Sequence, residues 1–322
     1  MSLSDMEVFN KYIMPATIES LGQMVNKFNA ASRNTIRLTT EGFEGDFLQE
    51  SFFAAIHSAQ RRVNRYAANA TQAPTDLTQL KHNSVKVAGG FGPILFEPAQ
   101  LTWLRKPTAE GIEVASRNFA EALMADQLNT AIAALVAAIS NNADAANDLS
   151  GSAGLDYVAL NGAHAKFGDQ SGNILADVVT GDMYHKLIAQ NLGNASRLFE
   201  STGVNVVDIL GKVMIVTDAP ALYETGTPNK QKALGLAESA AIVHDGADLV
   251  SNIQTSNGKE RIETTMQIDY TFGLGLKGYA WDTTSGGKSP TDAALATGAN
   301  WDQVATNVKQ TAGVIAIGDA SM

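Results

Sequence analysis

From Thr108 to Ser140 the chain is rich in alanine and free of proline, and Phe119, Leu123, Leu128, Ile132, Leu135 and Ile139 recur close to helical spacing. Thr108 follows Pro107 as an N-cap, and Glu110 and Glu113 fall in the first turn, where negative charge suits the helix dipole. At 1.5 Å per residue this helix would span roughly 48 Å, against a mean helix of about 11–12 residues. A rod of that length predicts the spine of a domain, with the other elements arranged along it. Its longest unbroken apolar stretch, Ala131 to Ile139, falls far short of the ~20 residues that cross a bilayer.

The segments before the spine lack support of their own. Asp5 to Ala31 reads as a helix through Phe9, Ile13, Ile18, Leu21, Val25 and Phe28, with Pro15 expected to kink or split it. At the start of the chain such a helix is a detachable arm as readily as a core element. Thr35-Ile-Arg-Leu-Thr alternates like a strand and breaks at Gly42 and Gly45. Residues 59–90 carry few core residues: an arginine-rich run from Ala59 to Ala67, a turn-rich tip at Asn69–Asp76, then strand chemistry at Val85-Lys-Val. This reads as a long polar β-hairpin without a buried face. An isolated hairpin is marginal in water, so a neighbouring subunit is its expected support. Gly89-Gly-Phe-Gly-Pro93 reads as a hinge, followed by a short helix near Pro98–Arg105.

Beyond the spine, strands and helices intermingle. Asn141 to Gly154 reads as a loop, Asp156–Phe167 as a short helix, Ile174–Val179 as a buried strand, and Met183–Asn191 as a helix stopped by Gly193. Val204–Ile209 and Lys212–Thr217 suit strands, and Ala219–Lys232 a loop punctuated by Pro220, Gly226 and Pro228. Ala233–Val243 suits one further strand. Asn257-Gly258 marks a hairpin, Thr264–Trp281 is extended, and Gly313–Gly318 is a last apolar strand. The mixture predicts an α+β fold rather than regular βαβ alternation.

Composition narrows the chemistry. The absence of cysteine removes disulfide scaffolds, thiolate metal sites and cysteine nucleophiles together. A net charge of −10 argues against a dedicated nucleic-acid binder. Charged residues make up 17%, below a typical ~25%, as expected where much of the exterior faces other protein. Residues 1–106 hold 11 basic and 9 acidic residues, and the remainder 12 and 24. So small a difference is open to two readings, chance or a mildly basic N-terminal part that docks on the acidic body of another copy. The N-terminus lacks the basic and apolar regions of a signal peptide, so the chain is expected to be soluble and made in a cytoplasm.

Two glycine-rich stretches imitate nucleotide sites. Gly273-Leu-Gly-Leu-Lys-Gly278 matches G-x-G-x-x-G, but Tyr279-Ala-Trp-Asp follows instead of the helix the pyrophosphate needs. Ser285-Gly-Gly-Lys-Ser-Pro290 lacks the first glycine of a P-loop, where Asp282 stands. Histidines at 57, 82, 164, 185 and 244 have no metal-ligand spacing, and no nucleophile elbow occurs. No catalytic residue, metal ligand or cofactor is assigned. Arg61, Arg62 and Arg65 form the basic cluster, open to three readings: a solvated face, a salt-bridged contact with another subunit, or a phosphate contact.

Four stretches together carry a family resemblance: Asn83-Ser-Val-Lys-Val-Ala-Gly-Gly-Phe-Gly-Pro93, Asp126-Gln-Leu-Asn-Thr-Ala-Ile-Ala-Ala-Leu135, Asp177-Val-Val-Thr-Gly-Asp-Met-Tyr-His-Lys-Leu187 and Ser289-Pro-Thr-Asp-Ala-Ala-Leu-Ala-Thr-Gly-Ala-Asn-Trp301. In their order and spacing the chain resembles the major capsid proteins of tailed double-stranded DNA bacteriophages, with the Hong Kong 97 fold. The resemblance implies an N-arm at 1–40, an extended β-hairpin loop at 41–100, a peripheral domain with the spine helix at 101–170, an axial domain at 171–265, and a return to the peripheral domain at 266–322. It implies a structural subunit of an icosahedral bacteriophage head, with no enzyme activity, forming hexamers and pentamers around packaged double-stranded DNA. A net acidic wall would not grip the phosphates of that DNA.

The expected contacts between subunits are Arg61, Arg62, Arg65, Lys81 and Lys86 on the hairpin, and Tyr223, Pro228 and Asn229 on the Ala219–Lys232 loop. Some relatives crosslink lysine to asparagine there, but no matching motif accompanies Lys81 or Lys86. The arm begins at once at Met1, which implies a separate scaffolding protein. A portal is implied as well, and a decoration protein is compatible. The expected location is the virion, after assembly in the bacterial host cytoplasm. The alternatives are an encapsulin-like nanocompartment shell and, in a third class, a soluble α+β enzyme.

Overall fold

The computed structural model describes residues 3–42, 45–53, 62–68, 71, 79–96, 109–198, 212–246, 248–257, 260 and 263–322. The short helix expected near Pro98–Arg105, the Thr108 cap, Arg61 and the Val204–Ile209 strand lie outside the described residues. The first helix, α1 (Leu3–Ala31), runs through Pro15 without splitting. Its second half is no free arm. Val25 is buried, and Leu21 and Phe28 pack into the main core beside the spine helix, whereas Ile18, expected on the buried stripe, is exposed. Asn29 locks this helix to strand β1 (Ile36–Gly42): its Nδ2 donates to the Leu38 carbonyl at 2.8 Å and its Oδ1 accepts from the Leu38 amide at 3.0 Å. Of the two readings open for this helix, residues 15–31 follow that of a core element, their apolar side chains packing within the subunit.

Strands β2 (Phe47–Phe53) and β3 (Gln79–Phe96) form an antiparallel hairpin with Phe47 opposite Val85 and Phe53 opposite Gln79; its first arm is 47–53 rather than the arginine-rich run expected at 59–67, whose described residues 62–67 form no strand. Its inner half differs from the expectation. From Val85 to Phe96, β3 pairs along β11 (Glu263–Leu276), and Val85 and Val87 are buried in the main core. The predicted hinge at Gly89–Pro93 is thus part of a strand, with an irregularity in the pairing between Met266 and Ile268 and a cis Gly92–Pro93 bond. Strand pairing along β11 satisfies a backbone that the glycines alone would leave loose.

The spine is α2 (Ala109–Ser140), of 32 residues, as the sequence predicts. Leu123, Ile132, Leu135 and Ile139 are buried along it. By length and composition Ser116–Ser140 passes as a membrane span, with a mean hydropathy of 1.5, but half of that window is buried inside the protein. After it come β4 (Ala146–Asp148), α3 (Tyr157–His164), β5 (Ile174–Val179), α4 (Gly181–Leu198) and β6 (Val213–Val216). The Asp156 carboxylate caps α3 by accepting from the Ala159 amide at 2.7 Å. The expected stop at Gly193 does not occur, since α4 continues to Leu198. Then follow β7 (Tyr223–Glu224), β8 (Lys230–Ala237), β9 (Ala241–Asp245), β10 (Val250–Ser256), β12 (Tyr279–Trp281), α5 (Asp292–Leu295), β13 (Trp301–Gln303) and β14 (Gly313–Asp319).

These strands make two sheets. One runs β1-β9-β11-β12-β13, with β3 and β10 also on β11 and β2 on β3; the other runs β4-β14-β8-β5-β6, with β7 on β8. The single strand expected at Ala233–Val243 is two, and they belong to different sheets: the chain turns at Glu238–Ala240, where Ser239 takes a positive φ. The sheets also divide the chain differently from the sequence-order segments. Residues 266–322 supply β12 and β13 to the first sheet and β14 to the second.

Period-two alternation explains how the second sheet is buried on both faces. Leu234, Leu236, Ile315 and Ile317 face the core that holds the spine helix, whereas Ala233, Val314 and Ala316 face α3 and α4 with Leu160, Phe167 and Met183. The first core also takes Phe272, Leu274, Tyr279, Trp281 and Trp301 from the first sheet. The spine helix therefore lies where the two sheets meet.

Candidate assembly interface

The hairpin exposes its distal chemistry. Arg62, Val63, Arg65 and Tyr66 are exposed, Tyr66 at 93%. Asn64 shapes this segment as an Asx turn, its Oδ1 accepting from the Tyr66 amide at 3.0 Å. The Arg65 guanidinium lies 6.0 Å from the Tyr66 ring centroid. Among the described residues, neither Arg62 nor Arg65 meets a carboxylate. An exposed aromatic beside arginines is a combination enriched at protein–protein interfaces.

The two lysines of the hairpin part company. Lys81 lies on β3 opposite Ser51, in the half paired only with β2. Lys86 sits within the sheet, its Nζ 3.5 Å from Asp248. Burial works against the Asp248 charge, but the Thr271 hydroxyl and Lys86 hold its carboxyl below the usual range. The Lys86 charge is thus engaged inside the subunit.

The segment Ala219–Lys232 is more ordered than a 14-residue loop. Pro220–Leu222 is a 3-10 turn, Tyr223 pairs with Gln231, and Glu224 with Lys230, leaving 225–229 as a tip. The tip is braced twice: Asn229 Oδ1 accepts from the Gly226 amide at 3.0 Å, and the Asn229 carbonyl accepts from the Ala320 amide at 2.9 Å. The Thr227–Pro228 bond is cis, and Tyr223 is 46% exposed. Lys232 Nζ lies 2.8 Å from Glu224, and that hydrogen bond and charge hold the Glu224 carboxyl below its ordinary value. Beside the tip opens a cleft of about 420 Å³, lined by Thr180, Asp182, Asp218, Tyr223, Gln231 and Ser321 among others. Arg62 and Arg65 lie in the irregular stretch between β2 and β3 of the first sheet, whereas this tip joins β7 and β8 of the second.

Sequence reasoning missed two polar pairs. His164 Nε2 lies 2.7 Å from Asp177 Oδ1, both buried, while Asp177 Oδ2 has no hydrogen-bond partner among the described residues. The Tyr270 hydroxyl donates to Asp126 Oδ2 at 2.6 Å, and burial together with that carboxylate pushes the phenol far above its ordinary pKa. No local spacing announces either pair, since the partners come from different elements.

The nucleotide imitations resolve as turns. Gly273 and Gly275 lie within β11, Gly278 takes φ +78° in the turn to β12, and no helix follows. In the other loop the Trp281 indole donates to the Gly287 carbonyl at 2.9 Å. Among the described residues, no three histidine or carboxylate side chains converge.

No curated protein matches the chain. The capsid asymmetric unit of cyanophage Pam1 superposes with a TM-score of 0.52 at 11% identity, covering 88% of this chain and 87% of that one. Microbacterium phage Oxtober96 overlaps over 90% and 91% at 12% identity, with a TM-score of 0.48. The Pam1 likeness gives the fold, in agreement with the expected capsid-type α+β architecture. The family model for Gp13-like proteins, described as major capsid protein 13-like, matches residues 5–315. With nearly the whole chain matched, the chain belongs to the Gp13-like family of major capsid proteins and is a structural, non-enzymatic subunit of a capsid built from many copies.

Proposed function

We propose that the chain forms hexamers and pentamers of an icosahedral head around packaged double-stranded DNA. The observation that carries this reading is the connection between β2 and β3: Arg62, Val63, Arg65 and Tyr66 are exposed there, beyond a ribbon whose outer strand pairs, Gln49–Phe53 with Gln79–Asn83, are made only between β2 and β3. Such a ribbon gains a packed face when it lies on a neighbouring copy. In this reading the second sheet with α3 and α4 is the axial part and its tip at 225–229 approaches the capsomer centre. The first sheet with the spine helix is the peripheral part. Arg62 and Arg65, with Arg61, meet acidic groups of the adjacent subunit, and Tyr223, Pro228 and Asn229 meet identical copies around the axis. A separate scaffolding protein and a portal act during assembly in the bacterial cytoplasm, and the finished shell, with or without a decoration protein, is part of the virion. The named phage capsids of like fold support DNA as the content over an enzyme cargo. Nuclease treatment of shells purified from phage-producing cells tests it: protected double-stranded DNA is expected, and shells that hold only protein overturn it in favour of a nanocompartment.

A further inference from the structure

We infer that a groove along the spine helix seats the β2–β3 connection of a second copy, with Tyr66 in its alanine-floored end and Arg62 and Arg65 facing its carboxylates. The inference rests on the reading above that the hairpin finds its support on a neighbour. Two clefts, of about 210 Å³ and 430 Å³, share Ala133 and Ala221 in their lining and so make one groove. Asp126, Ala133, Ala137 and Ser140 follow one another at seven, four and three residues on α2 and share one face. From Asp126 to Ser140 that face runs about 21 Å at 1.5 Å per residue. The 3-10 turn at Pro220–Leu222 and β7 wall one side of it, and α5 with Ala296 and Gly298 the other.

The wider end is lined by small side chains, Ala133, Ala137, Ala221 and Ala296, which leave room for a ring. Ser140 lines the same end, and its Oγ is buried without a hydrogen-bond partner among the described residues. A tyrosine suits that combination, since its ring fills apolar space while its hydroxyl needs a partner once buried. Tyr66 is 93% exposed, so its own subunit gives it almost no contact.

Charge matches as well. The groove is lined by Asp126, Asp292 and Glu224 and by one lysine, Lys232, which pairs with Glu224. Among the described lining residues two negative charges are therefore left over. Arg62 and Arg65 bring two positive charges that meet no carboxylate among the described residues of their own subunit. The same contrast holds for the chain at large, in which residues 1–106 carry a slight basic excess and the remainder a large acidic one. Every copy carries both the connection and the groove, on different parts of its surface. A contact between them is head-to-tail, the kind that closes copies into a ring.

The chain has no cysteine, so engineered thiols report the contact without background. Shells carrying Tyr66→Cys with Asn141→Cys, a position that lines the groove, are collected from phage-producing cells and treated with a short bis-maleimide. A ladder of linked subunits beyond the dimer is expected on a denaturing gel. Tyr66→Cys with Val158→Cys, an exposed position on α3 away from the groove lining, is expected to give none. Ala296 is exposed on the rim, so Ala296→Trp fills the groove without touching the core. That variant and Tyr66→Ala should each leave the melting temperature of the unassembled subunit unchanged and lower the shell yield about tenfold, the scale of one lost anchor side chain. A ladder through Val158→Cys but not through Asn141→Cys, a link to a protein of another mass, or wild-type yield in Tyr66→Ala overturns this seat and leaves the shell reading standing. A wild-type chain that forms no shells overturns both.

Discussion

At the residue scale the decisive contact is His164 with Asp177. The last turn of α3 places the imidazole against the Asp177 carboxylate of β5, with Gly235 of β8 packed close enough that a Cβ there would lie 3.0 Å from His164 Nε2. Removing one partner of a buried pair strands the other and costs about 3–5 kcal/mol, whereas replacing both by apolar residues can be nearly neutral. Asp177→Ala is therefore expected to lower the stability of the unassembled subunit by about that amount in urea unfolding, and His164→Leu with Asp177→Leu to recover part of it. Equal loss in the single and the double variant would show that the site depends on something other than the pair. The hydrophobic residues here were legible: Ile174 and Val178 read as buried strand and are buried. The pair was not, because its partners lie 13 residues apart on different elements and only the packing brings them together.

At the element scale, the β7–β8 hairpin depends on Lys232 and Glu224. The Lys232 hydrogen bond and charge lower the Glu224 pKa in the folded state. Its contribution is thus complete above the unfolded value of about 4.3 and is lost as pH falls through the lower folded value. The Glu224 side chain is 51% exposed, so Lys232→Met should cost at most about 1 kcal/mol at neutral pH and flatten the acid loss of stability. An unchanged acid profile in that variant would remove the pair from the account. The outer hairpin makes a second test. Phe53 and Gln79 face each other, so a short turn can join them in place of 54–78. That variant should give a folded subunit that closes no shells; normal shells would deny the hairpin its role. A deletion reaching Lys86 would be uninformative, because Val85 is in the core. Sequence spacing predicted the spine, whose pattern is local, and the β3 arm of the hairpin, but placed the other arm at 59–67 instead of at β2. It did not reveal that β3 continues into the sheet along β11, since a run such as Gly89–Pro93 looks like a hinge until a partner strand takes up its backbone.

At the scale of the whole molecule the chain crosses repeatedly between two sheets that share the spine helix. The turn at Glu238–Ala240 separates β8 in one sheet from β9 in the other, and β14 returns to lie between β4 and β8. Such non-local pairing is invisible to periodicity, which is why the α+β class could be read from the sequence while the sheet memberships could not. The core where the sheets meet should be intolerant of cavities. Leu135, fully buried on α2, is expected to cost about 2–5 kcal/mol on substitution by alanine, measured by denaturant unfolding of the subunit; a cost below that of an exposed spine position would misplace the core. The central claim, a shell subunit whose hairpin finds its support on a neighbour, is tested most directly by electron cryomicroscopy of the assembled protein. The account predicts closed hollow shells of five- and six-membered rings, with Arg62, Arg65 and Tyr66 of each subunit seated on an adjacent one. Small monodisperse particles, or shells in which these residues touch no other copy, would contradict it.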